Sequence, residues 1–170
     1  MISQKKILVV EDNPINREIL CAILSEQYTV LQAENGQEAL DILQTCKNEI
    51  ALILLDVIMP VMDGYTLLDR AKADPELAII PVIVMTQSEG EESEVSALAH
   101  GATDFVAKPY RPQVILHRIA SIIKLRETAA MVNRFQYDYL TGLYSKEFFY
   151  QKANELLKQH PEKEYDVICS

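Results

Sequence analysis

Short apolar segments alternate with segments of helical periodicity five times along the first three-quarters of the chain, and this alternation restricts the fold more than any other feature. The apolar segments are rich in Val, Ile and Leu, and they lie at residues 7–10, 28–31, 50–55, 81–85 and 105–107. Segments of this kind are typical of parallel strands that are covered on both faces. A strand followed by a helix, repeated five times, predicts an α/β fold with a doubly wound, five-stranded parallel sheet.

Each intervening segment carries apolar residues three and four positions apart, which predicts one buried stripe for each helix. The predicted stripe consists of Ile15, Ile19, Ala22 and Ile23 in the first helix, and of Val95, Leu98 and Ala99 in the fourth. The fifth helical pattern runs from about Gln113 to about Gln136, which is longer than one sheet requires. Its distal part carries a short coiled-coil-like stripe formed by Ile122, Leu125, Ala129 and Val132. This part is expected to be either a dimer stalk or a helix that docks on residues 138–170.

The last part of the chain has a different pattern. A turn-like segment follows Tyr137, a helix is predicted from Ser145 to about His160, and Tyr165–Cys169 has the character of a strand. A helix and one strand of about 30 residues cannot bury a core of their own. We therefore predict three parts: a domain at residues 1–126, a helical linker at 127–137, and residues 138–170 as a piece that packs on the first domain or begins a second one.

Charge and cysteine content argue against several classes of protein. Sixteen Lys and Arg against twenty-five Asp and Glu give a net charge of −9, which disfavours binding to nucleic acid. Cys21, Cys46 and Cys169 show no CxxC spacing, so neither a disulfide framework nor a zinc site is expected. No apolar run reaches the length of a membrane span, so no membrane association is expected. The predicted location is cytoplasmic.

Polar residues stand where the predicted strands end. Glu11 and Asp12 follow the first strand, Asp56 ends the third, Thr86 ends the fourth, and Lys108 follows the fifth. In the flavodoxin-like strand order 2-1-3-4-5, the first and third strands are neighbours, so the three carboxylates are predicted to converge. They repel one another unless a cation joins them. Oxygen ligands of this kind favour Mg²⁺ as the cofactor.

Mg²⁺ with a lysine opposite it forms an electrophilic site for a phosphoryl group. Asp56 is the best candidate for a nucleophile that becomes an aspartyl phosphate. The chain has no GxxxxGK[ST] loop, so direct use of ATP is not expected. A second hypothesis is a Mg²⁺-dependent phosphohydrolase with the same nucleophile. Such enzymes often place an aspartate two residues after it as general acid, and that position is Ile58 here.

Over residues 4–126 the chain resembles the receiver domain of bacterial response regulators. The similarity comprises Glu11-Asp12 after a strand, Leu54-Leu55-Asp56, Met59-Pro60, Met62-Asp63-Gly64, Thr86 after a strand, and Gly101-Ala102-x-Asp104-Phe105 before Lys108-Pro109. The resemblance implies that Asp56 accepts a phosphoryl group from a sensor histidine kinase in a two-component phosphorelay. It implies Mg²⁺ ligands at Glu11, Asp12, Asp56 and the backbone carbonyl of Ile58. It also implies phosphoryl contacts from Thr86 and Lys108, with Phe105 as a switch residue coupled to Thr86.

Three residues differ from the usual pattern of that family. Glu11 stands in place of the more usual aspartate, and Phe105 stands where many members have tyrosine. Gln87 follows Thr86 where a small residue is usual, and we expect it to narrow the access of phosphodonor or water. The expected readout of phosphorylation is homodimerisation through the fourth helix, the fifth strand and the fifth helix, together with the linker helix.

Residues 138–153 resemble the opening of a GGDEF diguanylate cyclase domain, with the sequence D-x-L-T-G-L at 138–143. The GG[DE]EF sequence itself does not occur in the chain, so the catalytic part of such an output is absent here. The resemblance implies that dimerisation controls the synthesis of cyclic di-GMP by a longer protein. A stand-alone receiver with a docking tail is the remaining alternative.

Overall fold

The computed structural model describes residues 4–87, 90–136 and 145–159. The chain divides into two compact units, Met1–Ile123 and Lys124–Ser170. The first unit contains a five-stranded sheet formed by β1 (Lys6–Val10), β2 (Thr29–Ala33), β3 (Ile50–Asp56), β4 (Val82–Thr86) and β5 (Asp104–Ala107). All strand pairs are parallel and the order is β2-β1-β3-β4-β5. The predicted fold class and strand order are confirmed.

Seven helices occur in the described residues: α1 (Pro14–Leu24), α2 (Gly36–Cys46), α3 (Gly64–Ala73), α4 (Pro75–Ala78), α5 (Glu91–Ala99), α6 (Pro112–Gln136) and α7 (Lys146–Gln159). The short α4 was not predicted, so the predicted fourth and fifth helices are α5 and α6. The helix predicted after Ser145 is confirmed as α7. The segment at residues 138–143 and the strand expected at 165–169 lie outside the described residues. No helix in the described part of the chain is long and apolar enough to cross a bilayer.

Side-chain caps begin three helices at the carboxyl edge of the sheet. Asn13, Asn35 and Asp63 each accept a hydrogen bond from a backbone N–H in the first turn of α1, α2 and α3, respectively. Such caps satisfy donors that have no partner within the helix. Because Asn13 directly follows Glu11 and Asp12, the start of α1 keeps this acidic pair at the end of β1.

The core consists of two apolar clusters, one on each face of the sheet. Strand β3 contributes to both, with Ile53 and Leu55 in the cluster covered by α2, α3 and α5. Leu52 and Leu54 belong to the cluster covered by α1 and α6. Because successive side chains of a strand point to opposite faces, a strand buried on both sides reads as a continuous apolar run.

The stripes predicted for the first and fourth helices are wrong. In α1 the fully buried residues are Leu20 and Leu24, whereas Ile15 is 67% and Ile19 47% exposed. Both faces of α1 are apolar, so periodicity alone does not decide which face meets the sheet.

In α5 the small Ala97 is buried against the sheet, and Val95 and Leu98 are 62% and 47% exposed. A small residue permits close approach of the helix, and the larger apolar side chains then point outward. In α6, Ile115, Ile119 and Ile123 are buried, while Leu125 is 70% exposed.

Candidate functional site

Three carboxylates meet at the carboxyl edge of the sheet. Glu11 and Asp12 follow β1, and Asp56 ends the neighbouring β3, where Val10 pairs with Leu55. One carboxylate oxygen of each of these residues lies within 4.8 Å of the others. Glu11 and Asp56 are 1% and 4% exposed, and Asp12 is exposed to solvent. The cluster is thus a largely buried anionic site with one side open to an ion from solution.

Lys108 bonds to two of these carboxylates from the other side. It follows β5, and its Nζ atom lies 2.9 Å from Glu11 Oε2 and 3.2 Å from Asp56 Oδ2. Its backbone N–H donates a hydrogen bond of 2.8 Å to the carbonyl of Thr86 at the end of β4. Strands β1, β3, β4 and β5 therefore all contribute to the site. Lys108 compensates at most one of the three negative charges.

The electrostatics differ among the buried groups. Burial raises the pKa of Asp56, the charge of Glu11 raises it further, and Lys108 opposes both effects. For Glu11, burial alone would raise the pKa. Its hydrogen bonds with Lys108, the Asn13 N–H and Tyr110 outweigh that effect, so the net pKa is lowered. Burial lowers the pKa of Lys108, but the hydrogen bond of Lys108 with Glu11 and the charge of Asp56 outweigh this effect, so the net pKa is raised. Of the two buried carboxylates, Asp56 is therefore the one whose charge is less stabilised.

Two further residues bind the acidic cluster and were not predicted from the sequence. The Tyr110 hydroxyl donates a hydrogen bond of 3.2 Å to Glu11 Oε2. Burial and the charge of Glu11 raise the pKa of Tyr110 to about 12, so this hydroxyl stays protonated. Arg17 of α1 donates to the backbone carbonyl of Glu11 at 2.7 Å. The position of Tyr110, two residues after Lys108, was the available signal for it.

The loop after Asp56 depends on close backbone packing. The N–H of Gly64 donates a 2.9 Å hydrogen bond to the carbonyl of Val57. A Cβ atom at Gly64 would lie 2.2 Å from the Asp56 carbonyl oxygen and 2.9 Å from Val57 Cα. Glycine is therefore required there. Within the same loop, Val61 has a φ of 67°, in the left-handed region that β-branched residues avoid.

A cleft of about 440 Å³ opens beside Asp56. It is lined by Asp56, Val57, Ile58, Tyr65, Thr86, Gln87, Glu92, Ser93 and Ser96. Gln87 is exposed at its rim, and the Ile58 side chain is 66% exposed. Phe105 lies in β5, pairs with Val84 of β4 and is half-buried against the cluster of α2, α3 and α5. The structure thus brings the expected acids and Lys108 together, places Thr86 and Gln87 in the adjoining cleft, and leaves Phe105 on the neighbouring strand.

Comparison with known proteins gives consistent matches. A family model described as the response regulator receiver domain matches residues 7–120. The chain is 33% identical over 139 residues to a probable cyclic di-GMP phosphodiesterase from Vibrio cholerae, which covers 82% of this chain and 31% of that protein. It is 36% identical over 122 residues to response regulator PleD from Caulobacter vibrioides, which covers 71% of this chain and 26% of PleD. The chain therefore spans about a third or less of these two curated relatives.

A solved structure of a probable two-component system response regulator/GGDEF domain protein superposes with a TM-score of 0.68 at 28% identity. The match covers 73% of this chain and 51% of that one. The fold, the acidic site at its carboxyl edge and the family match agree. The chain belongs to the response regulator receiver domain family, and it contains the receiver domain of a two-component response regulator.

Proposed function

We propose that this receiver domain takes a phosphoryl group onto Asp56 from the phosphohistidine of a sensor histidine kinase. The observation that carries the proposal is the geometry around Asp56. Its Oδ2 atom lies 3.2 Å from Lys108 Nζ, and one of its oxygens lies within 4.8 Å of one oxygen each of Glu11 and Asp12. Receiver domains as a class bind Mg²⁺ at such acidic sites and receive phosphate from histidine kinases.

The donor set fits Mg²⁺. Glu11, Asp12 and Asp56 offer carboxylate oxygens, the ligands preferred by this hard cation, and exposed Asp12 leaves an approach from solvent. We propose these three residues and the backbone carbonyl of Ile58 as the ligands. When bound, the ion neutralises negative charge on the phosphoryl oxygens.

The transfer step follows from the placement of Asp56 and Lys108. A carboxylate oxygen of Asp56 forms the new P–O bond, the P–N bond to the kinase imidazole breaks, and its electron pair returns to that ring nitrogen. Lys108, held by Glu11, supplies positive charge beside the transferred group. Thr86, at the end of β4, contacts the phosphoryl oxygens after transfer.

Gln87 controls access in this proposal. Its exposed side chain stands at the rim of the cleft that contains Asp56 and Thr86. Replacement by alanine is expected to change the lifetime of the aspartyl phosphate. Equal lifetimes of the aspartyl phosphate in Gln87→Ala and the parent would contradict a role of Gln87 in controlling access.

The switch acts through contacts that form only after phosphorylation. A phosphoryl group adds about −1.5 to −2 charge, and Thr86 and Lys108 contact its oxygens only in the phosphorylated state, which shifts a two-state equilibrium. We propose that Phe105 follows this shift and that α5, β5 and α6 form the homodimer face. The exposed Val95 and Leu98 of α5 support it, because they are available to a second copy.

We propose the output as a diguanylate cyclase in a longer protein, with residues 1–126 as the receiver, 127–137 as the linker helix and 138–170 as the start of a GGDEF domain. Similarity to a response regulator/GGDEF domain protein and to PleD supports this proposal. Exposed Leu125 and Val132 on α6 fit a paired linker. The Vibrio cholerae relative is named as a phosphodiesterase, so the D-x-L-T-G-L sequence is what favours a cyclase.

The direct test is phosphorylation by acetyl phosphate or a histidine kinase, followed by intact mass spectrometry. One phosphoryl group is expected on the parent, with none after magnesium chelation or in Asp56→Asn. Asp69→Asn serves as a control, because Asp69 lies on α3, pairs with His100 and is outside the cluster. Labelling of Asp56→Asn at the parental level contradicts the proposal. Continuous turnover of phosphate esters would favour the phosphohydrolase instead.

A further inference from the structure

All three nitrogens of the Arg17 guanidinium make hydrogen bonds where α1 adjoins the loop after β1. This loop contains Glu11 and Asp12 and is called the acidic loop below. Its Nη1 atom donates to the backbone carbonyls of Glu11 at 2.7 Å and Asp12 at 3.4 Å. Its Nη2 atom lies 2.9 Å from Glu34 Oε1, and Nε lies 3.3 Å from Gln32 Oε1. The side chain is 12% exposed. One guanidinium thus connects the loop after β1 with the end of β2.

These contacts involve the main chain of the acidic residues rather than their carboxylates. The carboxylate of Glu11 bonds instead to Lys108, to Tyr110 and to the N–H of Asn13. Fixing the carbonyl of Glu11 fixes the plane of the peptide that joins it to Asp12. Because the side chain of Asp12 is exposed, its direction depends on that peptide more than on packing.

We propose that Arg17 is a positioning residue for the magnesium site. Its planar guanidinium is fixed by Glu34 and orients Glu11 and Asp12 through hydrogen bonds to their backbone carbonyls. The inference rests on the proposed function, since it requires Mg²⁺ at this cluster. Lysine does not replace this guanidinium, because the carbonyls and the Glu34 carboxylate bond to two separate nitrogens. The single nitrogen of an ammonium cannot occupy both positions.

The sign of the effect separates positioning from simple electrostatics. Removal of a positive charge near a cation site strengthens cation binding by Coulomb's law. Loss of an outer partner that orients ligands weakens metal binding by about 10–100-fold. Arg17→Met keeps the aliphatic stem but removes every donor, and we expect its Mg²⁺ affinity to fall within that range. Arg17→Lys keeps the charge and is expected to bind Mg²⁺ at least about threefold more weakly than the parent.

The experiment is isothermal titration of Mg²⁺ into the parent, Arg17→Met, Arg17→Lys and Arg70→Met. Arg70 is an exposed arginine on α3, so its replacement removes the same charge without touching the acidic loop. Urea unfolding in EDTA measures stability separately. A merely structural role lowers the free energy of unfolding but leaves the Mg²⁺ Kd of the folded protein unchanged.

Weaker Mg²⁺ binding by Arg17→Met, with Arg70→Met unchanged or tighter, supports the inference. Unchanged or tighter binding by folded Arg17→Met overturns it. If Arg17→Met does not fold, Arg17→Lys decides, and parental affinity in that variant overturns the inference. A parent that takes up no Mg²⁺ contradicts the proposed function itself, so the two failures are distinguishable.

Discussion

Lys108 Nζ lies 3.2 Å from Asp56 Oδ2, and both side chains are largely withdrawn from solvent. The same ammonium is 2.9 Å from Glu11, so it separates two buried carboxylates. This arrangement makes the stability of the receiver depend on the charge state of the site, and it leads to two predictions about pH and Mg²⁺.

Asp56→Asn is expected to be more stable than the parent at pH 7 in EDTA. Burial and the charge of Glu11 raise the pKa of Asp56 in the folded state. The protonated carboxyl is therefore favoured by folding, and this contribution is lost as pH rises through the folded pKa. Below the unfolded aspartate pKa of about 3.9 the difference should disappear. Urea unfolding across pH 3–8 measures it.

Mg²⁺ should reduce the difference in stability between Asp56→Asn and the parent, because the ion stabilises the parent with its ionised Asp56 and not the neutral variant. Asp69→Asn is the control, since this exposed residue lies outside the acidic cluster. An Asp56→Asn variant that is less stable than the parent at pH 7 would contradict the raised pKa.

Lys108→Met is expected to lose about 3 kcal/mol of stability at pH 7 without Mg²⁺, because removal of one partner leaves buried charge uncompensated. Glu11 and Asp56 then repel each other directly, so the loss should shrink as the pH is lowered and the carboxyls protonate. Saturating Mg²⁺ should also restore part of it. Lys124→Met, at an exposed position of α6, is the matched control. A loss that is independent of both pH and Mg²⁺ would point to packing instead of charge.

Gly64→Ala tests the close packing behind Asp56. The added Cβ would lie 2.2 Å from the Asp56 carbonyl oxygen, and backbone atoms cannot move aside as a flexible side chain can. We expect a loss of about 3 kcal/mol and slower phosphorylation. Gly90→Ala is a matched control, because none of the residues that the structure describes has an atom within 4 Å of the added Cβ at that position. Chemical unfolding and acetyl phosphate labelling measure the two effects; equal behaviour of both variants would refute the packing argument.

The sheet order and the meeting of Glu11, Asp12 and Asp56 could be predicted because they depend on local apolar runs and on the common edge of parallel strands. The rotation of α1 and α5 could not, because both helices carry apolar residues on more than one face. Contacts with neighbouring elements decide which face is buried. The partnership of Tyr110 with Glu11 joins residues 99 positions apart, and Tyr110 lies two residues beyond Lys108. Its position near Lys108 suggests a place near the site, but the bond to Glu11 joins distant segments and does not follow from where the strands end.

Val61→Asn is expected to stabilise the protein by about 1 kcal/mol, because a left-handed conformation costs most L-residues about 1–2 kcal/mol and asparagine tolerates it better. Val61 has a φ of 67° and is 84% exposed, so little packing is lost. Val95→Asn, at an exposed helical position, is the control and should bring no gain, since asparagine is a poorer choice within a helix. Thermal unfolding of the three proteins measures the difference. A lower melting temperature for Val61→Asn than for the parent would count against backbone strain at this position.

Two exposed apolar patches should have separable functions. Ile15 and Ile19 form an exposed patch on α1, which begins two residues after Asp12. The kinase in the proposed phosphotransfer would dock beside this helix to reach Asp56. Val95 lies on α5, in the proposed homodimer face. Ile19→Asp should slow phosphotransfer from the kinase about tenfold or more, because a buried unpaired charge costs several kcal/mol at an interface.

The same Ile19→Asp variant should be labelled by acetyl phosphate at the parental rate, since the small donor needs no docking surface. Val95→Asp should be phosphorylated normally by both donors but should remain monomeric afterwards, as measured by light scattering with beryllofluoride and Mg²⁺. The two variants are controls for each other, because each adds one aspartate at an exposed apolar helix position. If both changes impair both measurements equally, a general loss of structure explains them and the two surfaces are not distinct.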